Sequence, residues 1–558
     1  MALMRSTKKP LLMAESRLRI GIIGEAEKLR HWQGQCMQAL LEVPGIELVF
    51  LAETADAQHE EKTSILYRRW SGRRSPAKAL ERAGSPGLLN GLPRIPFGGG
   101  PSSAELEKLR GFHPDVLLQF SSAELPESFH NLPRLGTWRF IHGERLPGAD
   151  EIPGLRETLN GDPVVSVSLQ RSPNGQGSGS VLRSGCFGAG GRSVDEIAET
   201  VLQCCAEWPA QVCWALISGD PEAAIGTEAD PLTPSAPSPS NVEMLQLWWK
   251  QLVGGKRSTR ASGPEEWNFG VLPQPIASLL EDRPSLNVRW LPPPGNGRWR
   301  STPFGIFTDG KLSTLYEKHD HEQGRSVIGR LRPKRDNNLK RSRDLLTGGG
   351  RLSYPFIVEH EGAVYVVPEN GSGGQVVLYS LNEDQTALTP VRTLLDEAVC
   401  SPTLFRHDGR WWLFGTKAPL ENTSLYAYHA EHVEGPYTPH ALNPIKTDIR
   451  SARPGGTPFR RGEELWRPAQ DHSVAGTVRI ALNRVTQLSP SGFAEETVRY
   501  FEPLKAPWSK GIRTLSAVGD ITLVDGMRHS NGKSDRKKGP KRTAKKSRES
   551  EHDDLNEL

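Results

Sequence analysis

Ser353-Tyr354-Pro355-Phe356, followed by Glu361-Gly362 and then Tyr365-Val366-Val367-Pro368-Glu369, is a phrase that this chain uses four times in its second half. The other copies are Ser301-Thr302-Pro303-Phe304 with Asp309-Gly310 and Leu315-Tyr316-Glu317, Ser401-Pro402-Thr403-Leu404-Phe405 with Asp408-Gly409 and Trp411-Trp412-Leu413-Phe414, and Gly456-Thr457-Pro458-Phe459 with Gly462 and Leu465-Trp466-Arg467-Pro468. Successive phenylalanines, Phe304, Phe356, Phe405 and Phe459, lie 52, 49 and 54 residues apart. Two short apolar strands around a tight Asp-Gly or Glu-Gly turn, repeated at such a period, are the signature of propeller blades. The segment from Trp267 to Pro294 and the strands after Asp471 can supply one more blade by joining the two ends of the ring, so five blades are expected. A propeller gathers one strand start from every blade around a single funnel. The residues beside the repeated prolines are therefore expected to line a shared site.

The rest of the chain is of a different kind. At 558 residues and 61.5 kDa it is too long for one core. Arg17-Leu-Arg-Ile-Gly-Ile-Ile-Gly24 is an apolar strand ending at glycine, followed by a helical pattern through Trp32, Cys36, Ala39 and Leu40 and a second strand from Ile46 to Leu51. This opening predicts a parallel α/β sheet over 17–218. Gly21 and Gly24 fall short of G-x-G-x-x-G, so no dinucleotide site is predicted. The Pro/Ser-rich stretch 219–241 is expected to be a linker, 242–526 the propeller, and 527–558 a disordered tail.

Charge and cysteine use exclude several function classes. The net charge of +4 resides in the tail, where 527–558 carries ten Lys/Arg and six Asp/Glu. The tail has no interleaved aromatics, so nucleic acid is not an expected partner. The six cysteines form neither a C-x-x-C pair nor a His-rich pattern, which predicts buried thiols without a metal. No cofactor is expected. The absence of an apolar run long enough for a bilayer, or of an h-region after Met1–Met13, makes the cytoplasm the expected location and a transmembrane segment unexpected.

Ser353-Tyr-Pro-Phe with Val367-Pro-Glu369, Asp408-Gly-Arg-Trp-Trp-Leu-Phe414, Gly435-Pro-Tyr437 with Asn443-Pro444, Ala452-Arg-Pro-Gly455 and Arg467-Pro-Ala-Gln-Asp471 occur in one order. Together they resemble the five-bladed, glycoside-hydrolase-43-like propeller of the amino-terminal region of glucosamine inositolphosphorylceramide transferases, over roughly 267–496. Gly136-Thr-Trp-Arg-Phe-Ile-His-Gly143, preceded by Pro114-Asp115-Val116, resembles the central strand and active-site turn of a formyltransferase. The resemblances imply a role in glycan or glycolipid assembly, with a carbohydrate or glycolipid precursor as ligand and a glycosyltransferase as a possible partner.

In both domains the expected catalytic groups are replaced. The formyltransferase Asn and His positions are Arg139 and Ile141, and the Asp of a later D-x-G turn is Gly177, so formyl transfer is not expected unless His142 serves a rearranged site. In the propeller, two carboxylates that the resemblance implies at the funnel are hydroxyls, Thr302 and Ser401. Glu369 and Asp471 remain as candidate acid/base groups. Arg453, Arg467 and Gln470 are candidate sugar- or anion-binding residues, and Tyr354 a stacking platform. The alternatives are an enzyme of glycan modification, a non-catalytic sugar-binding module, and a structural role for Glu369, Arg453, Arg467 and Asp471 as salt bridges between blades. At least one of Trp411 and Trp412, which alternate across a strand, is expected in the core.

Overall fold

The computed structural model describes residues 17–529 apart from short internal segments, the longest being 55–63, 144–151, 173–178, 231–236, 258–264 and 333–340. Chain order begins with β1 (Leu18–Ile23), β2 (Ile46–Thr54), β3 (Arg94–Phe97), β4 (Val116–Gln119) and β5 (Thr137–His142), which lie parallel in the order β3-β2-β1-β4-β5. Strand β1 is almost wholly buried, as a strand covered on both faces must be. Gly21 allows this, because a Cβ there would lie 2.4 Å from the Phe50 ring. The sheet then turns antiparallel through β6 (Val164–Ser172) and β7 (Ser180–Gly188). The helix Val194–Ala206, started by a Ser193/Glu196 capping box, covers one face together with His31–Glu42.

Three of the four repeats form separate four-stranded antiparallel sheets built on the expected strand pairs. The first repeat is Arg298–Thr308, Lys311–Asp320, Arg325–Arg332 and Arg341–Leu346; the second runs from Leu352–His360 to Leu388–Leu395; the fourth from Phe459–Arg461 to Gly492–Phe501. A further sheet joins both ends of the propeller region. Glu265–Leu272 pairs along its whole length with Ile521–His529, flanked by Arg289–Trp290 and Leu515–Val518. At the second and third turns Glu361-Gly362 and Asp408-Gly409 both have positive φ (51° and 79°, 47° and 77°), the backbone that a two-residue hairpin loop requires.

Five separate blades are not what the sheets show: four stand alone. The third repeat, Cys400–His407, Arg410–Thr416 and Ser424–Ala430, runs on through Lys446–Asp448, which pairs in parallel with β7 (Thr447↔Gly185, Asp448↔Cys186). It thereby becomes part of a 13-stranded sheet continuous with the α/β region. Trp411 and Trp412 are both buried, in separate cores on the two faces of this repeat.

The expected boundaries also shift. Within 219–241, Thr227–Glu228 pairs with β7, so that part is not a free linker, while 231–236 lies outside the described residues. The helix Asn241–Arg257 places Met244 and Leu247 in a core with Tyr67, Leu155, Leu159 and Val194, on the α/β side and not in the propeller. Met527, Arg528 and His529 continue the closing strand and are not tail; the rest of the expected disordered segment, 530–558, lies outside the described residues. Among the described residues, no helix is long and apolar enough to cross a membrane.

Candidate functional site

The strand starts beside the repeated prolines share an unusual backbone. Thr302, Tyr354 and Ser401 have φ of 47°, 47° and 50°, and each lies at a register shift between the first two strands of its repeat. Non-glycine residues in that region are strained, on the order of 1–3 kcal/mol each, and persist only where the surroundings fix them. Here the surroundings are neighbouring repeats, which receive each turned-out amide. Thr302 N donates to Asp525 Oδ2 (3.1 Å), Tyr354 N to Thr302 Oγ1 (3.1 Å), and Ser401 N to Glu369 Oε2 (2.7 Å). Gly456 N in turn donates to the Tyr354 hydroxyl (2.9 Å), and a Cβ at Gly456 would meet Leu515 O at 1.8 Å. The bulges thus form a hydrogen-bond circuit from sheet to sheet around one cavity.

That cavity measures about 420 Å³ and is lined by residues of every repeat, together with Gly188, Gly190 and Arg192 of the α/β region and the 473–478 loop. Its charged wall has two connected centres. Glu317, fully buried, accepts from Ser301 Oγ (2.8 Å), Ser326 Oγ (3.0 Å), Arg351 Nε (3.1 Å) and Arg513 (3.3 Å). Burial alone would raise its pKa, but the Arg351 and Arg513 charges and the two hydroxyls outweigh that and hold it below the usual carboxylate value. Glu369 forms the second centre: its Oε2 accepts from Ser401 and from Arg453 (3.4 Å), while Arg453 also donates to Ser401 Oγ (3.1 Å) and Asn422 Oδ1 (3.1 Å). Among the described residues, no hydrogen bond engages Glu369 Oε1.

His472 lines the same cavity, with its Nε2 2.9 Å from Gln470 Oε1. The Gln470 amide NH₂ donates to Pro454 O, so His472 Nε2 carries the proton and Nδ1 is left as an acceptor. Burial, with Arg453 and Arg513 nearby, pushes this imidazole down to about 3 and keeps it neutral. Arg513 lies over the Trp267 ring at 4.1 Å and faces Asp525 at 3.7 Å. Each inner guanidinium of this wall thus faces a carboxylate, so the wall alternates donors and acceptors without a dominant sign.

The predicted site residues divide. Glu369, Arg453, Gln470, Thr302, Ser401 and Tyr354 come together at the cavity. Tyr354 is not a stacking platform, because its ring is buried against Phe304 and its hydroxyl is bonded to Thr403 and Gly456. Asp471 and Arg467 are absent from the lining. Asp471 is buried behind it, bound to Arg479 Nε (2.7 Å) and Ser473 N (2.8 Å). Arg467 is 1% exposed and tied to Glu495 and the carbonyls of Ser451 and Ala452. Glu317, Arg351, Arg513 and His472 also line the cavity, although no motif singles them out. A signal for Glu317 existed: it pairs with Ser301 as Glu369 pairs with Ser353, the same place in successive repeats.

In the α/β region, Arg139, Ile141 and His142 all lie on β5, whereas Gly177 falls outside the described residues. Ile141 is fully buried. Both ring nitrogens of His142 are buried without a hydrogen bond among the described residues, and burial drives its pKa down to about 4.

Residues 345–512 match the family described as glucosamine inositolphosphorylceramide transferase 1, N-terminal. The chain is similar to glucosamine inositolphosphorylceramide transferase 1 of Oryza sativa subsp. japonica, 30% identical over 203 residues that make up 33% of this chain and 27% of the rice protein. It is also similar to that of Arabidopsis thaliana, 28% identical over 197 residues, 32% and 26% of the two chains. It thus spans roughly a quarter of the length of these curated relatives. Among solved structures it is similar to a thermostable family-43 glycoside hydrolase (18% identity, TM-score 0.30, 38% of this chain and 78% of that one). It is also similar to the catalytic domain of the Coprinopsis cinerea GH62 α-L-arabinofuranosidase (11% identity, TM-score 0.33, 41% and 90%).

Proposed function

We propose that this chain recognises a carbohydrate or glycolipid precursor in its central cavity and serves glycan or glycolipid assembly by holding that ligand, with the bond chemistry left to a partner glycosyltransferase. The observation that carries the reading is the Glu369–Arg453–Ser401 centre. It offers the open Oε1 of Glu369 beside a guanidinium and a hydroxyl in the wall of a sugar-sized cavity. Vicinal hydroxyls need such neighbouring acceptors and donors. The names of the relatives, transferases of glucosamine inositolphosphorylceramide, support a glycolipid ligand.

A hydrolase needs one carboxyl group to give a proton and another to activate water or attack. Glu317 is kept ionised by two guanidinium groups and two hydroxyls and has no proton to give near neutrality. Thr302 and Ser401 bring hydroxyls where the resemblance implies acids. The same reading makes the third repeat a fifth blade, annexed by the neighbouring sheet, and residues 17–218 a degenerate formyltransferase-like domain whose site has been lost at Arg139 and Ile141.

The test is ligand-detected NMR of the full chain against amino sugars, uronic acids, inositol phosphates and nucleotide-sugars, followed over a day for new product signals. Binding without turnover, abolished by Glu369→Gln in a protein that melts normally, is the expected result. Turnover lost in Glu369→Gln would favour an enzyme of glycan modification, and no binding across the panel would overturn the carbohydrate reading.

A further inference from the structure

The helix Asn241–Arg257 is apolar on the wrong side as well as the right one. Met244 and Leu247 anchor it to the α/β core. On the opposite face, Val242 is 64% exposed, Leu245 54% and Trp249 65%, and Trp248, one turn from Met244, flanks them at 60%. The spacing Val242, Leu245, Trp249 is one stripe of a 3.6-residue period. The patch continues onto the neighbouring helix Ile65–Arg73. Leu66 N donates to Asn241 Oδ1 (2.9 Å) and Ser64 Oγ to Pro239 O, which brings Ile65, 74% exposed, beside the first turn of the longer helix. Water-exposed tryptophans in pairs are costly, and a contiguous apolar patch on a folded surface marks an interaction site.

Charge identifies the occupant. Among the described side chains, the shorter helix carries Arg68 and Arg69 and no acid, and the longer one Lys250 against the single Glu243. Glu243 is itself engaged by Arg156 (3.1 Å). Arg68, Arg69 and Lys250 are exposed, and Lys250 Nζ donates to the Leu159 carbonyl (2.6 Å). Aromatic and aliphatic side chains flanked by cations are the chemistry of an anionic membrane surface. There, indole rings sit at the headgroup level and Lys/Arg offset the negative potential. The structure assigns this face, Ile65, Val242, Leu245, Trp248 and Trp249, as a docking site for an anionic lipid surface, which the protein meets side-on without spanning it.

Co-sedimentation of the full chain with phosphatidylcholine vesicles, with and without phosphatidylserine, tests this. Binding to the phosphatidylserine vesicles, weakened by salt, is expected, and the Trp248→Ser/Trp249→Ser protein should bind on the order of tenfold less. Arg68→Glu with Arg69→Glu, which leaves the indoles in place, should weaken it too. A melting curve for each variant separates lost docking from lost fold. Absence of the full chain from both pellets would overturn the assignment, as would vesicle binding unchanged in both variants. A soluble dimer that the tryptophan substitutions dissociate, without vesicle binding, would make a second copy of the chain the occupant instead.

Discussion

Arg453 and Arg467 stand in near-identical phrases, Ala452-Arg-Pro and Trp466-Arg-Pro, yet one reaches the cavity and the other closes a buried ion pair. Their substitutions should therefore separate. Arg467→Ala removes one of the two cations of Glu495, which is fully buried and, although burial opposes it, held down to about 2 by Arg467 and Lys446. With Lys446 still in place the loss of the Arg467 hydrogen bonds should cost about 1.5–3 kcal/mol, to be read as a lowered denaturant midpoint. Because the Glu495 carboxyl titrates below its ordinary 4.5, the stabilisation it brings is complete above that pH and is lost as the pH falls toward 2. Arg453→Ala should keep the melt within about 1 kcal/mol and instead lose ligand affinity by about tenfold or more, measured by titration calorimetry. The quoted phrases made both arginines visible. Their division was not, because it depends on which neighbour, Glu369 or Glu495, the folded sheets set opposite each side chain.

The strand pairs and turns of the repeats were legible because each is specified locally, by alternation, by Pro and by Asp-Gly or Glu-Gly. The closing sheet was legible only as an expectation that the two ends would meet. Its partner register, Trp267 opposite Met527, and the role of Asp525 needed the three-dimensional arrangement. Asp525 is fully buried and accepts from the amides of Thr302, Arg513 and Thr514, tying the closing strand to the first repeat. Burial raises its pKa despite Arg513 and these amides. Asp525→Ala leaves three buried N–H groups unsatisfied and should destabilise the protein by several kcal/mol, on the order of 1–3 per group, in urea unfolding. Asp525→Asn, which keeps one acceptor, should cost less.

Because Thr447 is paired to Ser424 on one side and Gly185 on the other, the propeller region and the α/β region share a sheet. One calorimetric transition is therefore expected for the described body, and Thr447→Pro, which removes a donor from the middle of that sheet, should split it into two. The whole molecule should also be acid-sensitive. Burial holds His142 and His440 down to about 4 and His472 to about 3, so between pH 6.5 and 4 the unfolded chain takes up protons that the native protein refuses. Stability then falls as pH falls through that window, and the melting temperature should drop progressively from pH 7 to pH 4.

The sequence by itself determined the repeat, its strand pairs, its hairpin turns, the α/β opening and the residues beside the prolines. Each of these rests on contacts between near neighbours, which a local pattern encodes. Only the tertiary structure decided that the third repeat is annexed by β7, that Asp471 and Arg467 turn away from the cavity while Glu317, Arg513 and His472 enter it, and that the helix after the linker carries a bare apolar face. Those outcomes depend on burial and on charge partners far apart in the chain, such as Arg513 and Glu317, 196 residues apart, a separation at which composition and spacing carry no geometric information.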